Sequence, residues 1–590
     1  MDALQRAKTL FLAALEEQAR TAWPQAETLL REALSLAPDR ESIQVNLAAV
    51  LLAQRQHAEA ITLCQQVLAS NPDNANAWLN LGLGLNLAER YAEALNALQR
   101  AAALDANAAI SAAHARALHG LGRWHESLAQ HQAALAETPD DITLICGYVD
   151  TLLKLERAPA ALNYIRDALQ RHPAEPALLN ACGNAQLALR LREEACQSYL
   201  AALQRAPDEA AILSNLANAL TQLDRPLEAI RYCEQALSQH AEHYEALQNR
   251  AHALAELNQV DAALADYEHC LSLRPQAADA YQLRWNRAQL LLLKGDFSNG
   301  WLAHECRRQR PEQASLLAYT QPLWLGETPL AGRRLLVHAE QGLGDTLQFC
   351  RYLPLLTKQG AASITFSVTR KLHGLLAQIE NVVLHASDAP LPEHDLQCPL
   401  MSLPLALQAL QPSIPGCTPY LSATHDRLKH WRARLPQGKP IIGLTWSGNP
   451  HYPNDRQRSM RLEQLLPALV GQFSFVCLQR DIREIDQPIL AAHPEILVFG
   501  EQIDDFADNA ALAALCDVVI STDTFVAHLA GALGKKLWLM LSFAPDWRWQ
   551  LKREDSPWYP GARLFRQQAP GDWAGVVARI RDALQVEFAP

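Results

Sequence analysis

At 590 residues the chain is too long for one hydrophobic core, so several domains are expected. It is 49% hydrophobic and 19% charged, with a net charge of -11. That acidic balance is a poor match to a nucleic-acid backbone or an anionic membrane, and it excludes both as default partners. No window approaches the ~18 uninterrupted apolar residues that a membrane span needs. The first residues, "MDALQRAKTLFLAALEEQ", read as an amphipathic helix with charges inside the apolar run, not as a signal peptide. Twelve cysteines lie scattered with no C-x-x-C pair, and Cys64, Cys233 and Cys270 fall inside helical patterns. Reduced, buried thiols in a cytoplasmic protein are the expectation, not a disulfide frame or a zinc site.

The first half repeats. Ala60, Ala94, Ala161, Ala195, Ala229 and Ala263 recur at multiples of ~34 residues, apart from one shorter step around Ser127. A second small residue follows in each unit, at Ala101, Ala134, Ala168, Ala202 and Ala236. A helix-ending landmark comes next, at Pro72, Pro139, Pro173, Pro207 and Pro275. The clearest unit is "AWLNLGLGLNLAERYAEALNALQRAAALDAN", in which Trp78, Leu81, Gly82, Tyr91, Ala94 and Ala101 resemble the tetratricopeptide signature. Small residues let two antiparallel helices approach, and each pair must stack on its neighbours to bury its apolar face. The pattern predicts a helical tetratricopeptide superhelix over residues 1–310, of about eight or nine units. Its last unit, "WNRAQLLLLKGDFSNGWLAHECR", drifts and reads as a cap. A groove of this kind binds a polypeptide, or serves as a scaffold.

Pro311, Pro322, Pro329, Gly326 and Gly332 mark a linker over 311–332. Apolar β-rich runs then alternate with helical ones: "RRLLVHA", "SITFSV", "NVVLHA", "KPIIGLTW", "FSFVCLQ", "ILVFG", "DVVIS" and "KLWLML". That alternation predicts two Rossmann-like lobes with parallel sheets, at 333–425 and 426–590, in the two-lobed GT-B arrangement. In open α/β sheets ligands sit beyond the carboxyl ends of the strands, so the loops after the strands are the candidate sites.

The first such loop is "HAEQGLGDTLQF", His338 to Phe349. Gly342 and Gly344 permit a tight turn, and Asp345 is placed either as a helix cap or as a proton acceptor. In "GLTWSGNPHYPNDRQRSM" a strand ends at Trp446; Ser447, Asn449 and Arg458 follow, and a guanidinium fork suits phosphate oxygens. In "VCLQRDIREID" Gln479 stands at a strand end, where it could bond a base or ribose, or lie in a surface loop. In "STDTFVAHLAGALGKK" Asp523 and Thr524 open a helix, with His528 one turn in; they either cap the helix or grip a diphosphate at its bare amides. Trp547, Trp549, Trp558 and Tyr559 crowd a loop with Arg548, suited to stacking a sugar or base or to packing of the C-terminal segment.

On these motifs residues 333–580 resemble the glycosyltransferase family that contains the bacterial ADP-heptose:lipopolysaccharide heptosyltransferases. The whole chain is similar to bacterial tetratricopeptide–glycosyltransferase fusions carrying "HAEQGLGDTLQF", "NDR.RS" and "PDWRW...REDSPWYP". The resemblance implies that Asp345, after Gly344, is the catalytic base. It also implies that Asp523, Thr524 and His528, with Leu529, Ala530 and Gly531, hold the sugar-nucleotide diphosphate. Phe525 departs from the family, which has glycine there. A repeat array joined to a GT-B enzyme is also the plan of protein O-GlcNAc transferases and of some flagellin-modifying enzymes, which implies a polypeptide acceptor. The expectation is a glycosyltransferase with Asp345 as base and a donor site of Gly344, Ser447, Asn449, Arg458, Gln479, Asp523, Thr524 and His528. No Asp-x-Asp motif sits at a strand end, so no metal is expected, and no cofactor beyond the nucleotide-sugar donor. The rivals are a non-catalytic adaptor with a degenerate transferase half, and a transferase acting on lipopolysaccharide or polysaccharide.

Overall fold

The computed structural model describes residues 3–277, 279–309, 319–408, 414, 418–452, 454–503 and 505–589. It divides into two compact units, Met1–Ala241 and Glu242–Pro590.

The first unit is seven antiparallel helix pairs, from Ala3–Ala19 with Trp23–Leu36 to Ala210–Thr221 with Pro226–Gln239. The small landmark residues are the ones that disappear from solvent: Ala60, Ala94, Ser127, Ala161, Ala195 and Ala229 are all 0% exposed. Gly82 shows how tight the approach is, because a Cβ there would lie 2.5 Å from Leu98 Cδ2. The backbone carries the repeat as well. Thr21, Arg55, Glu89, Gly122, Glu156, Arg190 and Asp224 each end the first helix of a pair with a positive φ, between 57° and 71°. The shorter step in the sequence is reproduced at Gly122. This left-handed residue turns the chain back into the second helix. Only one of the seven is glycine, so the device is invisible to composition.

The second unit begins with an eighth pair, Tyr244–Glu256 and Val260–Leu273, which keeps the pattern with Asn258 at φ 58°. A ninth pair, Ala280–Lys294 and Phe297–His304, breaks the step and turns on Gly295 at φ 90°. By packing, the chain divides at 241/242, inside the stretch expected to be repeat array up to 310. Trp301 is 1% exposed and stands edge-on to Trp547, Trp558 and Phe349, with centroids 5.3, 6.4 and 6.0 Å away. Asn258 Nδ2 donates to the Phe543 carbonyl at 2.6 Å, and Gln457 Nε2 to Glu256 Oε2 at 2.8 Å. The last two helix pairs thus belong with the α/β part.

That part holds two parallel sheets. The first comprises β1 (Arg334–His338), β2 (Ser363–Val368), β3 (Val383–Ala386) and β4 (Leu396–Pro399), in the order β3-β2-β1-β4. The second comprises β5 (Ile441–Thr445), β6 (Ser474–Cys477), β7 (Ile496–Val498), β8 (Val518–Thr522), β9 (Leu537–Leu541) and β10 (Ala562–Arg566). Its order is β10-β9-β8-β5-β6-β7. This is the doubly wound order, with its reversal point between β5 and β8. Strands β8 and β9 are buried at every residue, as helix-covered parallel strands must be. One face of the second sheet packs Ile442, Leu444, Phe475, Ile520 and Met540 against Trp573, Val576 and Ile580 of the C-terminal helix Trp573–Glu587.

Two strands escaped the sequence pattern: β4, a short run ending in proline, and β10, embedded in the aromatic-rich segment. The expected linker is also corrected in part. Residues 311–318 lie outside the described residues, but 319–332 pack on the first sheet. Leu323 bridges Gln397 in parallel, Trp324 is 3% exposed, and its backbone N–H donates to the Gln397 carbonyl at 2.8 Å. No helix among the described residues is long and apolar enough to cross a membrane.

Candidate functional site

Both sheets reverse direction beside a central strand, and those reversal points are where the polar motifs fall. In the second sheet β5 ends in Trp446-Ser447-Gly448 and β8 in Thr522-Asp523-Thr524. In the first, β1 runs through Glu340 and Gln341 into the helix Leu343–Phe349. This helix packs against the helix Phe525–Ala532 that follows β8. Gly344 permits the approach: a Cβ at that position would lie 2.7 Å from His528 Cδ2. Gly344, expected in the donor site, therefore also sets the closeness of the two helices.

Asp345 occupies the first turn of its helix. One carboxylate oxygen accepts the Gly342 N–H at 2.8 Å, so the capping alternative is realised. The other oxygen is paired with Arg548, which comes from the loop after β9. Burial raises the Asp345 pKa; Arg548 and the Gly342 N–H oppose the rise, and Asp546 and Glu340 add to it. Arg548, read from the sequence only as one of a sugar- or base-stacking cluster, is the basic side chain at the centre of this neighbourhood. Its side chain is 7% exposed. Besides Asp345, it donates from Nε to Gln348 Oε1 at 2.5 Å and from Nη1 to Asp546 Oδ1 at 2.9 Å. It lies over the Trp547 ring at 4.3 Å. The signal was in "PDWRW", where Asp546 and Arg548 stand among tryptophans. The four aromatics of that segment are packing residues, since Trp547, Trp549, Trp558 and Tyr559 are at most 3% exposed.

Opposite, Asp523 is held in a largely buried position. Its backbone carbonyl accepts from Arg458 Nη1 at 3.0 Å, which joins the β5 and β8 loops. Burial and the negative charge of Asp546 push its carboxyl up to about 6, against Arg548 and Arg458. Thr524 stands at the N-cap position, yet its side chain makes no cap bond. Its hydroxyl meets Ser521 Oγ at 3.2 Å instead. The Thr524 side chain thus leaves the Phe525 and Val526 amides uncapped, while the Ala527 N–H donates to the Thr524 carbonyl at 3.1 Å. Phe525 packs on Phe506, with centroids 4.6 Å apart.

His528 is brought beside Asp523, Nε2 to Oδ1 3.8 Å, but it does not open onto a cleft. It is 5% exposed, stacks on Trp549, and shares Nδ1 with the Tyr559 hydroxyl at 2.9 Å. Burial, together with Arg548, Arg351 and Arg458, depresses its pKa well below the usual range, so it is neutral. His528, expected to grip a diphosphate, thus packs beneath Asp523.

The β5 loop is organised from within. Gln479 Oε1 accepts the backbone N–H of Trp446 at 2.6 Å and of Ser447 at 3.0 Å, while its Nε2 donates to Ser447 Oγ at 3.1 Å. Gln479, expected to contact a base or ribose, shapes the loop through these bonds. Ser447 is 6% exposed and serves as its partner. Asn449 is exposed and accepts the His451 N–H at 3.0 Å, an Asx turn. Asp455, a residue not singled out from sequence, accepts from Ser459 Oγ at 2.7 Å and pairs with Arg483. Arg458 lies over the Tyr452 ring at 4.4 Å, and its buried Nε has no hydrogen-bond acceptor. Among the described residues no three His, Cys, Asp or Glu side chains are placed to share a metal ion.

The site therefore joins Asp345, Asp523, Asp546, Arg458 and Arg548 beside an uncapped helix start. Such a set can accept a proton, hold sugar hydroxyls on carboxylates, and meet an anion with guanidinium and backbone donors.

Comparison with known proteins bears on the helical half. Tetratricopeptide-repeat families match residues 18–81, 51–117, 149–210, 210–244 and 244–276. The chain is similar to Protein FlbA of Caulobacter vibrioides, 28% identical over 339 residues, which is 53% of this chain. The match spans only 56% of that relative's own length. Among solved structures, the human IFIT1 dimer with m7Gppp-AAAA aligns at TM-score 0.40 and 14% identity, over 51% of this chain and 78% of that one. A tetratricopeptide repeat protein from Parabacteroides merdae aligns at TM-score 0.31 and 12% identity, over 47% of this chain and 97% of that one. The N-terminal half of the chain is thus built of tetratricopeptide repeats, and a region of parallel sheets follows it.

Proposed function

We propose that the chain is a glycosyltransferase of the two-lobed GT-B type, moving a sugar from a nucleotide-sugar donor to a polypeptide held by the repeats. The observation that carries this reading is the meeting of two strand-end motifs. Asp345, from the reversal point of one parallel sheet, and Asp523-Thr524, from that of the other, flank the same arginine, Arg548. The Phe525 and Val526 amides, with Arg458, whose buried Nε lies 3.6 Å from Asp455 Oδ1 without a hydrogen-bond acceptor, offer donors for a diphosphate. In the reaction Asp345 takes the proton of an acceptor hydroxyl. The oxygen bonds to the anomeric carbon as the bond from that carbon to the phosphate oxygen breaks. The electron pair leaves with the nucleotide diphosphate, whose charge the amides and arginines stabilise. Tetratricopeptide repeats support a protein partner, and a polypeptide acceptor follows from that.

One observation favours the non-catalytic rival: both carboxylate oxygens of Asp345 are engaged. The two readings separate in one experiment. The full chain is incubated with uridine, adenosine and guanosine diphosphate sugars, and the released nucleotide is measured beside calorimetric binding of each nucleoside diphosphate. A transferase binds at least one nucleotide and turns over its sugar, and Asp345→Ala loses turnover while retaining binding. Absence of both binding and turnover in the wild type would falsify the reading.

A further inference from the structure

We infer that Arg548 is a positioning residue that holds Asp345 in place from the opposite sheet and keeps its carboxyl ionised for use as the base. The inference rests on the transferase reading for its chemistry, but its geometry stands alone. Arg548 leaves the loop after β9 and places three edges of its guanidinium on three partners. Asp345 and Gln348 belong to the helix after β1, and Asp546 belongs to the same loop as Arg548. The guanidinium rests on Trp547, which packs edge-on against Trp301. The fork is thus fixed on three sides before any substrate arrives.

The groups facing Asp345 make this arginine necessary. From its own loop come the Gly342 N–H, a donor, and Glu340, a negative charge. From the loop after β9 come Arg548 and Asp546. The packed helix Phe525–Ala532 contributes His528, which burial keeps neutral. From the loop after β5 comes Tyr452. Arg548 is the cation bonded to Asp345 itself, whereas Arg458 is committed to the Asp523 carbonyl. Without Arg548, burial and two neighbouring carboxylates would all favour the protonated acid, which cannot accept a proton. A role limited to structure would need the ion pair but would leave the acid limb of the pH profile where it is.

The test uses the full chain as wild type, Arg548→Gln, Arg548→Lys, Asp345→Asn and the Arg548→Gln/Asp345→Asn double variant. Thermal midpoints form a cycle that needs no activity. If the pair exists, Arg548→Gln lowers the midpoint less when Asp345 is already asparagine. Turnover of the best diphosphate sugar from the panel is then followed against pH. Arg548→Gln moves the acid limb upward by about one unit or more, and Arg548→Lys restores part of the shift. Additive midpoints overturn the positioning role. Coupled midpoints with an unmoved acid limb in both arginine variants overturn the tuning of the base. If the wild type turns over no diphosphate sugar, the transferase reading falls by itself, and with it the tuning, while the midpoint cycle still decides the pairing.

Discussion

Arg307 joins the end of the helical array to the first sheet, and its loss has a calculable cost. Its side chain is 0% exposed. It grips Glu340 with two bonds, Nη2 to Oε1 at 2.7 Å and Nε to Oε2 at 3.0 Å. It also donates to Glu305 Oε1 and to Ser402 Oγ, each at 2.7 Å. The Glu340 side chain is itself 1% exposed, so water cannot replace the arginine. Removing one partner of such a pair strands a buried charge at about 3–5 kcal/mol. Arg307→Met should destabilise the unit Glu242–Pro590 by that amount. Tryptophan fluorescence in a urea titration reads the effect, since only Trp23, Trp78 and Trp124 of the thirteen tryptophans lie in the first unit. Arg307→Met combined with Glu340→Gln should recover more than half of the loss, because Glu340 is the more deeply buried of its two carboxylate partners, 1% against 14% exposed, and its charge is then gone. A single-variant loss below about 1 kcal/mol, or a double variant no better than the single, would refute the reasoning.

Two further outcomes follow from the site. Asp523 titrates near 6 in the folded chain against about 4 unfolded, so between those values the folded state holds the extra proton and stability falls as pH rises. Asp523→Asn should therefore be more stable than wild type at pH 8, by on the order of 1–3 kcal/mol, with the gain shrinking toward pH 4. Thermal midpoints across that range measure it; a gain that is constant with pH removes the argument. Gly344→Ala should cost about 1–3 kcal/mol, because its methyl meets His528 at 2.7 Å. Trimming the ring with His528→Ala should lessen the penalty of the Gly344→Ala change, and equal penalties in both backgrounds would rule out the clash as its cause.

The repeats were legible because their physics is local and periodic. Each small landmark fills a helix–helix contact that has no room for more, and the period repeats the constraint in every unit. The turns were not legible, since Arg55, Glu89, Glu156 and Arg190 take a left-handed conformation that their chemistry does not advertise. Strands β5 and β8 announced themselves as continuous apolar runs, while β4 and β10 are short and owe their place to neighbours already in the sheet. At the site, the strand-end rule pointed to loops that the fold brings together, so that Asp345 and Asp523 flank one arginine. The contacts of Gln479 and His528 were not legible, because nothing in the chain order says that a polar side chain will bond its own loop or a tyrosine 31 residues away. The pairing of Arg548 was not legible for a related reason. Its partner Asp345 is 203 positions distant, and only tertiary packing makes them a pair.

The division at 241/242 has a practical meaning for anyone recombining this chain. The first seven helix pairs form one compact unit, and both helices of the ninth pair lie in the other. A graft made at the proline-rich stretch near 310 would instead pull Trp301 and Arg307 out of their sockets, and the recipient chain would inherit an open aromatic hollow and a stranded Glu340. Swapping repeat arrays onto this α/β half should therefore keep residues from Glu242 onward as native sequence, so that the new repeats end where the second unit begins.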